Sequence, residues 1–144
     1  MPSAFITSAR GYPAMPLAES KNVSLSFKGD PIQISAVKRY VHEIVYNLCE
    51  NAIKYNVEGG KVNFSIYTEN DKTVISISDT GIGIPLEHQN RIFERFYRVD
   101  KSHSKETGGT GLGLSIVKHA VQYLNGQISL ESTPGIGTTI KVYL

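Results

Sequence analysis

Hydrophobic and polar positions follow two rhythms along this chain, and the change from one to the other marks its elements. From Asn22 onward Val23, Leu25 and Phe27 alternate with Ser24, Ser26 and Lys28, which predicts a half-buried strand closed by Gly29-Asp30-Pro31, with Ile32 and Ile34 adding a short second one. The period then becomes helical. Ser35 is a candidate N-cap, and Val37, Val41, Ile44, Val45, Leu48 and Ala52 recur on one face through Tyr55. Beside that apolar face Glu43, Asn47, Glu50, Asn51 and Lys54 form a second stripe with Tyr55 on its border. Alternation returns in Val62, Phe64, Ile66 and Thr68, breaks at Glu69-Asn70-Asp71-Lys72, and resumes in Thr73, Ile75 and Ile77, the pattern of a hairpin. Its register places Asp79 on the face of Ile75 and Ile77, so an apolar strand face runs into a carboxylate. Left without a donor, a buried carboxylate is strongly unfavourable.

A glycine-punctuated stretch, Asp79-Thr80-Gly81-Ile82-Gly83-Ile84, follows that strand. Pro85 suits the first turn of a helix, which Leu86, Arg91, Ile92, Phe93, Arg95 and Phe96 are expected to continue. Between Lys101 and Thr110 there is no apolar side chain to anchor the segment in a core, so it is expected to move unless something binds it. A second glycine cluster, Gly109-Thr110-Gly111-Leu112-Gly113-Leu114, opens a helix whose apolar face is Leu114, Val117, Ala120, Val121 and Leu124 and whose stop is Asn125-Gly126. Ile128 and Leu130, the turn Thr133-Pro134-Gly135-Ile136-Gly137, and Ile140, Val142 and Leu144 form a closing hairpin. Met1 to Glu19, with three prolines and no clear period, reads as a tail or linker. Together the elements predict an α+β two-layer sandwich, one mixed sheet backed on one face by helices.

At 144 residues the chain suits one domain with a real core. With 40% hydrophobic and 19% charged residues it has neither a disordered nor a membrane-like composition, and a formal charge of +2 argues against a nucleic-acid partner held by a large basic surface. Any polyanion it binds is therefore small. Cys49, the single cysteine, cannot form an internal disulfide and falls among apolar helix positions, as an inert buried thiol would. No apolar run approaches the ~20 residues of a membrane span.

Taken singly, each candidate feature has a plain structural reading: Gly81 and Gly83 as a turn, Asn47, Asn51 and Lys54 as a solvated helix face, Asp79 as a helix cap. Taken together, they answer one need. Asp79 offers an acceptor to the exocyclic amine of adenine, and Asn51 a hard carbonyl oxygen suited to Mg²⁺. Lys54 and the backbone around Gly111 and Gly113 can meet phosphates, and the polar segment becomes a lid. Neither glycine stretch is a Walker-type loop, because no Gly-Lys-Ser/Thr follows, and the second lacks the spacing of a dinucleotide fingerprint.

These residues resemble the boxes of sensor histidine kinases. Asn47-Leu-Cys-Glu-Asn51-Ala-Ile-Lys54-Tyr55 resembles the N box, Asp79-Thr-Gly81-Ile-Gly83 the G1 box, Arg91-Ile-Phe-Glu-Arg-Phe96 the F box and Gly109-Thr-Gly-Leu-Gly-Leu114 the G2 box, while Gly135-Ile-Gly137-Thr is similar to the third glycine box. The resemblance runs from about Lys21 to Leu144 and implies a catalytic and ATP-binding domain over 21–144, after an edge at 1–20, with the mostly antiparallel Bergerat (GHKL) fold. It implies ATP and Mg²⁺ as cofactors, with Asn51 and Asn47 at the metal, Lys54 at phosphate and Tyr55 flanking adenine. Asp79 would accept from the adenine amine, with Gly81, Gly83 and Ile84 shaping that end. Arg98 and the segment to Gly109 would form the lid, and Gly109, Thr110, Gly111, Leu112, Gly113 and Leu114 the phosphate end. Phe93 and Phe96 would tether the base of the lid. Asn47, Lys54 and Arg98 would carry catalysis, by positioning and charge neutralisation.

The family's phosphoacceptor histidine lies in a separate dimerisation domain within a His-Glu-x-Arg type motif. His42-Glu43 matches only the first two letters and sits on the N-box helix, and His88, His103 and His119 lack that context. The expected partners are therefore the dimerisation and histidine-phosphotransfer domain of a parent kinase and, through it, a response regulator, with the isolated chain a monomer and the setting cytoplasmic. An amide at position 47 cannot act as a base for water, so vigorous ATP hydrolysis is not expected, and Glu43 and Glu50 are the only nearby candidates for a base. The alternatives are a regulatory module of the same fold, such as an anti-sigma-factor serine kinase, and a degenerate domain that only docks to partners.

Overall fold

A computed structural model describes residues 3–6, 15–29, 32–35, 38–97 and 113–144. Its main sheet has five strands in the order β2-β4-β5-β7-β6: β2 (Ser24–Lys28), β4 (Lys61–Glu69), β5 (Lys72–Asp79), β6 (Gln127–Thr133) and β7 (Gly137–Tyr143). Only the β2/β4 pair is parallel, which makes the sheet mixed and mostly antiparallel. A separate antiparallel ribbon joins β1 (Ser3–Ile6) to β3 (Ile32–Ser35). The helices are α1 (Met15–Ser20), α2 (Lys38–Lys54), α3 (Leu86–Gln89) and α4 (Gly113–Tyr123).

Register explains which face is the core. One row across the sheet is Phe27, Phe64, Ile77, Ile140 and Leu130, and the next is Ile66, Ile75, Val142 and Ile128. Against these rows α2 packs Val41, Ile44, Val45, Leu48 and Ala52, and α4 packs Val117, Ala120 and Val121, all buried. The other face carries Ser26, Asn63, Ser78, Thr139 and Glu131 in one row, with Ser78 Oγ and Thr139 Oγ1 2.8 Å apart. Each strand thus alternates between an apolar and a hydroxyl-rich face, the pattern of a sheet covered on one side. Cys49 belongs to the core, and burial pushes its thiol up to about 12.

Turn chemistry matches the sequence at two points. Asn70 and Asp71 both take positive φ, 51° and 64°, as a two-residue hairpin turn requires. At the end of α4, Asn125 takes φ 58° and the Gly126 amide donates back to the Val121 carbonyl over 2.9 Å, satisfying a terminal acceptor.

Two local expectations fail. The stretch read as a tail or linker holds β1 and α1, and Ala18 lies in the core. Ser35, the N-cap candidate, ends β3 paired with Ser3, and the two residues that join it to α2 lie outside the described ones. The helix expected to run from Pro85 through Phe96 stops at Gln89. Beyond α3, the Arg91 amide donates to His88 O, Glu94 to Arg91 O and Tyr97 to Glu94 O, so the chain proceeds by tight i to i−3 turns. Phe96 has φ 63°, which no helix allows.

Candidate functional site

Asp79 ends β5 on the apolar face, flanked in register by Val62 and Thr138. Its Oδ1 accepts from the Gly81 amide at 2.9 Å and the Thr138 amide at 3.2 Å. Burial raises its carboxyl above the ordinary value, and the two backbone donors oppose that shift. Both donors reach the same oxygen. Oδ2 has no partner among the described residues.

The loop after Asp79 is strapped on both sides. Toward α2, the Ile82 amide donates to Tyr55 O at 3.2 Å. Toward the β6–β7 hairpin, Gly135 N donates to Ile82 O at 2.8 Å, Ile84 N to Ser132 Oγ at 2.8 Å, and Gln89 Nε2 to Ile84 O at 2.8 Å. Two glycines make the strap possible. A Cβ on Gly81 would stand 2.4 Å from Tyr55 O, and Gly83, at φ +72°, would put one 2.3 Å from Thr133 O.

Asn56 joins the end of α2 to this loop, and no sequence motif drew attention to it. It is buried at 7% exposure, and both ends of its amide are engaged: Nδ2 donates to Lys61 O at 3.0 Å, while Oδ1 accepts from Val57 N at 2.8 Å and Thr80 Oγ1 at 3.4 Å. Lys21 Nζ reaches Lys54 O at 2.5 Å, setting a cation on the C-terminal carbonyls of α2.

The polar stripe of α2 is the third wall. Asn47 Nδ2 donates to Glu43 O at 2.7 Å, so its carbonyl oxygen stays available, and that oxygen lies 3.5 Å from where a Cβ on Gly113 would be. The N-terminus of α4 therefore abuts Asn47. Half-buried Asn51 makes no side-chain hydrogen bond among the described residues. Lys54 is not free, since its Nζ lies 2.7 Å from Glu50 Oε1. Tyr55 and Ile84 are half-buried, and Leu114 packs against the core. Of the expected tethers, Phe93 is half-buried but Phe96 is 63% exposed, and Ile92, at 7%, anchors this segment instead. Arg98, Gly109, Thr110, Gly111 and Leu112 lie outside the described residues, as does the expected lid. Sequence reading also missed the Thr138 amide, because only cross-strand register brings it to Asp79.

Among the described residues no group of three or more His, Cys, Asp or Glu side chains could hold a metal ion. A cation here would rest on the amide oxygens of Asn47 and Asn51 together with ligand phosphates, a donor set of hard oxygens that fits Mg²⁺. The walls thus offer an open carboxylate oxygen at one end and, at the other, amide oxygens beside a helix N-terminus.

The family described as histidine kinase-, DNA gyrase B- and HSP90-like ATPase matches residues 36–144. The chain belongs to that family. Within this ATPase family it is 46% identical over 106 residues to the sensor histidine kinase WalK of Bacillus subtilis (strain 168), covering 72% of this chain and 17% of WalK. The mycobacterial sensor histidine kinase MprB superposes with a TM-score of 0.75 at 26% identity, covering 90% of this chain and 88% of that one. Full-length ShkA, solved with AMPPNP, gives a TM-score of 0.75 at 25% identity, covering 90% of this chain and 27% of ShkA. These likenesses place the ATPase domain with the ATP-binding catalytic domains of histidine kinases and favour that reading over the serine-kinase alternative. The chain spans under a fifth of the length of WalK. Among the described residues no helix is long and apolar enough to cross a membrane.

Proposed function

We propose that this domain binds Mg²⁺-ATP between α2, the 79–84 loop and the start of α4, and presents the γ-phosphate to a histidine on a separate dimerisation domain of a longer parent, in the cytoplasm. The observation that carries the reading is Asp79, whose Oδ1 is held by two backbone amides while Oδ2 has no hydrogen-bond partner among the described residues. Adenine's exocyclic amine supplies that donor.

In this reading Asn47 and Asn51 hold the Mg²⁺, which when bound neutralises phosphate charge and orients the triphosphate. Lys54 meets a phosphate oxygen, and the backbone amides from Gly109 to Gly113 and Leu114 take the remaining oxygens at the start of α4. Tyr55 lines the base end with Gly81, Gly83 and Ile84, and Arg98 adds charge from the lid. The attacking imidazole comes from elsewhere, so this chain's own work is to bind, orient and exclude water. Hydrolysis stays slow because Asn47, with an amide nitrogen committed to Glu43 O, cannot accept a proton from water.

The test has two stages. Calorimetry of the chain with ATP, with and without Mg²⁺, should show metal-enhanced binding that Asn51→Ala removes. Mixing the chain with a separate dimerisation domain and labelled ATP should phosphorylate a histidine on that domain. Binding without transfer to any cognate acceptor would leave an ATP-binding regulatory module, and no binding at all would defeat the reading.

A further inference from the structure

The α2 stripe carries two charges that the ATP reading does not use, Glu43 and Glu50, and Glu50 is the one set between its ligand-facing residues. Glu50 stands one helical turn before Lys54 and three residues after Asn47, so its carboxylate lies among the groups assigned to metal and phosphate. An anion there repels a polyphosphate, so its presence calls for an account. Its pairing supplies one. Glu50 Oε1 is 2.7 Å from Lys54 Nζ, with the two side chains only 25% and 20% exposed, and the carboxylate pushes up the phenol of Tyr46, a turn earlier. Tyr46, Glu50 and Lys54 thus form a ladder at i, i+4 and i+8 beside Asn47 and Asn51. An ammonium has three donors, and committing one to Glu50 leaves two to be aimed at a ligand.

We propose that Glu50 is a positioning residue for Lys54, fixing the ammonium at the phosphate end of the pocket. The proposal rests on the ATP reading. It makes a prediction of sign that neither a merely structural nor a merely electrostatic role shares. With Lys54 present, Glu50→Gln releases the ammonium and weakens Mg²⁺-ATP binding by roughly three- to tenfold, in the lower part of the range of coupling between residues in contact. With Lys54→Met in place there is nothing to position, and the same Glu50→Gln change strengthens binding by removing an unpaired anion beside the phosphates.

Calorimetry with Mg²⁺-ATP on the unaltered chain, the two single variants and the double variant reads these signs, and a thermal melt of each confirms that it folds. Tighter binding on Glu50→Gln in both backgrounds overturns the proposal in favour of plain repulsion, and weaker binding in both overturns it in favour of a structural role. A Lys54→Met variant that binds as well as the unaltered chain overturns it too. Absence of binding by the unaltered chain defeats the ATP reading itself, an outcome separate from any comparison among variants.

Discussion

Asp79→Asn separates recognition from folding. The asparagine keeps an oxygen for the Gly81 and Thr138 amides, now 2.9 and 3.2 Å from Oδ1. At the open position it replaces an acceptor with an N–H donor that faces the adenine amine. The loss is one hydrogen bond to a charged acceptor, about 1.5–3 kcal/mol, or roughly 10- to 150-fold in Kd for ATP. Inosine triphosphate carries an acceptor where ATP carries the amine, so the variant should bind it better relative to ATP than the unaltered domain does. The fold should not suffer. Because burial raises the Asp79 carboxyl in the folded state, the folded domain binds that proton more tightly than the unfolded chain. The stability this supplies is present below the unfolded value and is lost as pH rises through the folded one. At neutral pH the variant should therefore be at least as stable as the unaltered domain, which gains on it as pH falls into the carboxylate range. Calorimetry with both nucleotides and thermal melts from pH 7 downward measure these quantities. Unchanged ATP affinity, or an unchanged ratio between the nucleotides, would refute the assignment of Oδ2 to the base.

Other consequences follow from particular contacts. Asn56→Ala strands Val57 N and Lys61 O in a part-buried joint and should cost about 1–2 kcal/mol in urea unfolding. Gly81→Ala forces the loop away from Tyr55 O and should weaken ATP binding more than it lowers stability, to be read from paired calorimetry and melts. Ile92→Ala should cost about 2–4 kcal/mol, whereas Phe96→Ala, on the surface, should stay within about 0.5 kcal/mol of the unaltered domain.

The parts legible in the sequence are those with strong local periods. Val62 to Ile77 could be read because a half-buried hairpin alternates and Asn70-Asp71 suits its turn, and the same period put Asp79 on the core face. Helix α2 was legible for the same reason, and with it the stripe from Asn47 to Lys54. What escaped depends on partners distant in sequence. β1 exists because Ile32–Ser35 pairs with it, and the period of Ser3–Ile6 is too short to show that. The segment after Gln89 has apolar spacing that suits a helix, yet Phe96 takes a left-handed conformation that side-chain pattern does not encode. Lys54 looked free because a helical wheel shows neighbours without showing which of them pair, and Asn56 looked like an ordinary residue after a helix.

The single parallel pairing, β2 with β4, has a kinetic consequence. Adjacent antiparallel strands such as β4 and β5, or β6 and β7, close over short turns, but Ser24 meets Lys61 only after β3 and α2 have been traversed. Loop closure over that separation is entropically costly and slow. The helix that carries Asn47, Glu50, Asn51 and Lys54 is the return path of that crossover, so nucleotide-binding competence and the last edge of the sheet should be acquired in the same late step of folding.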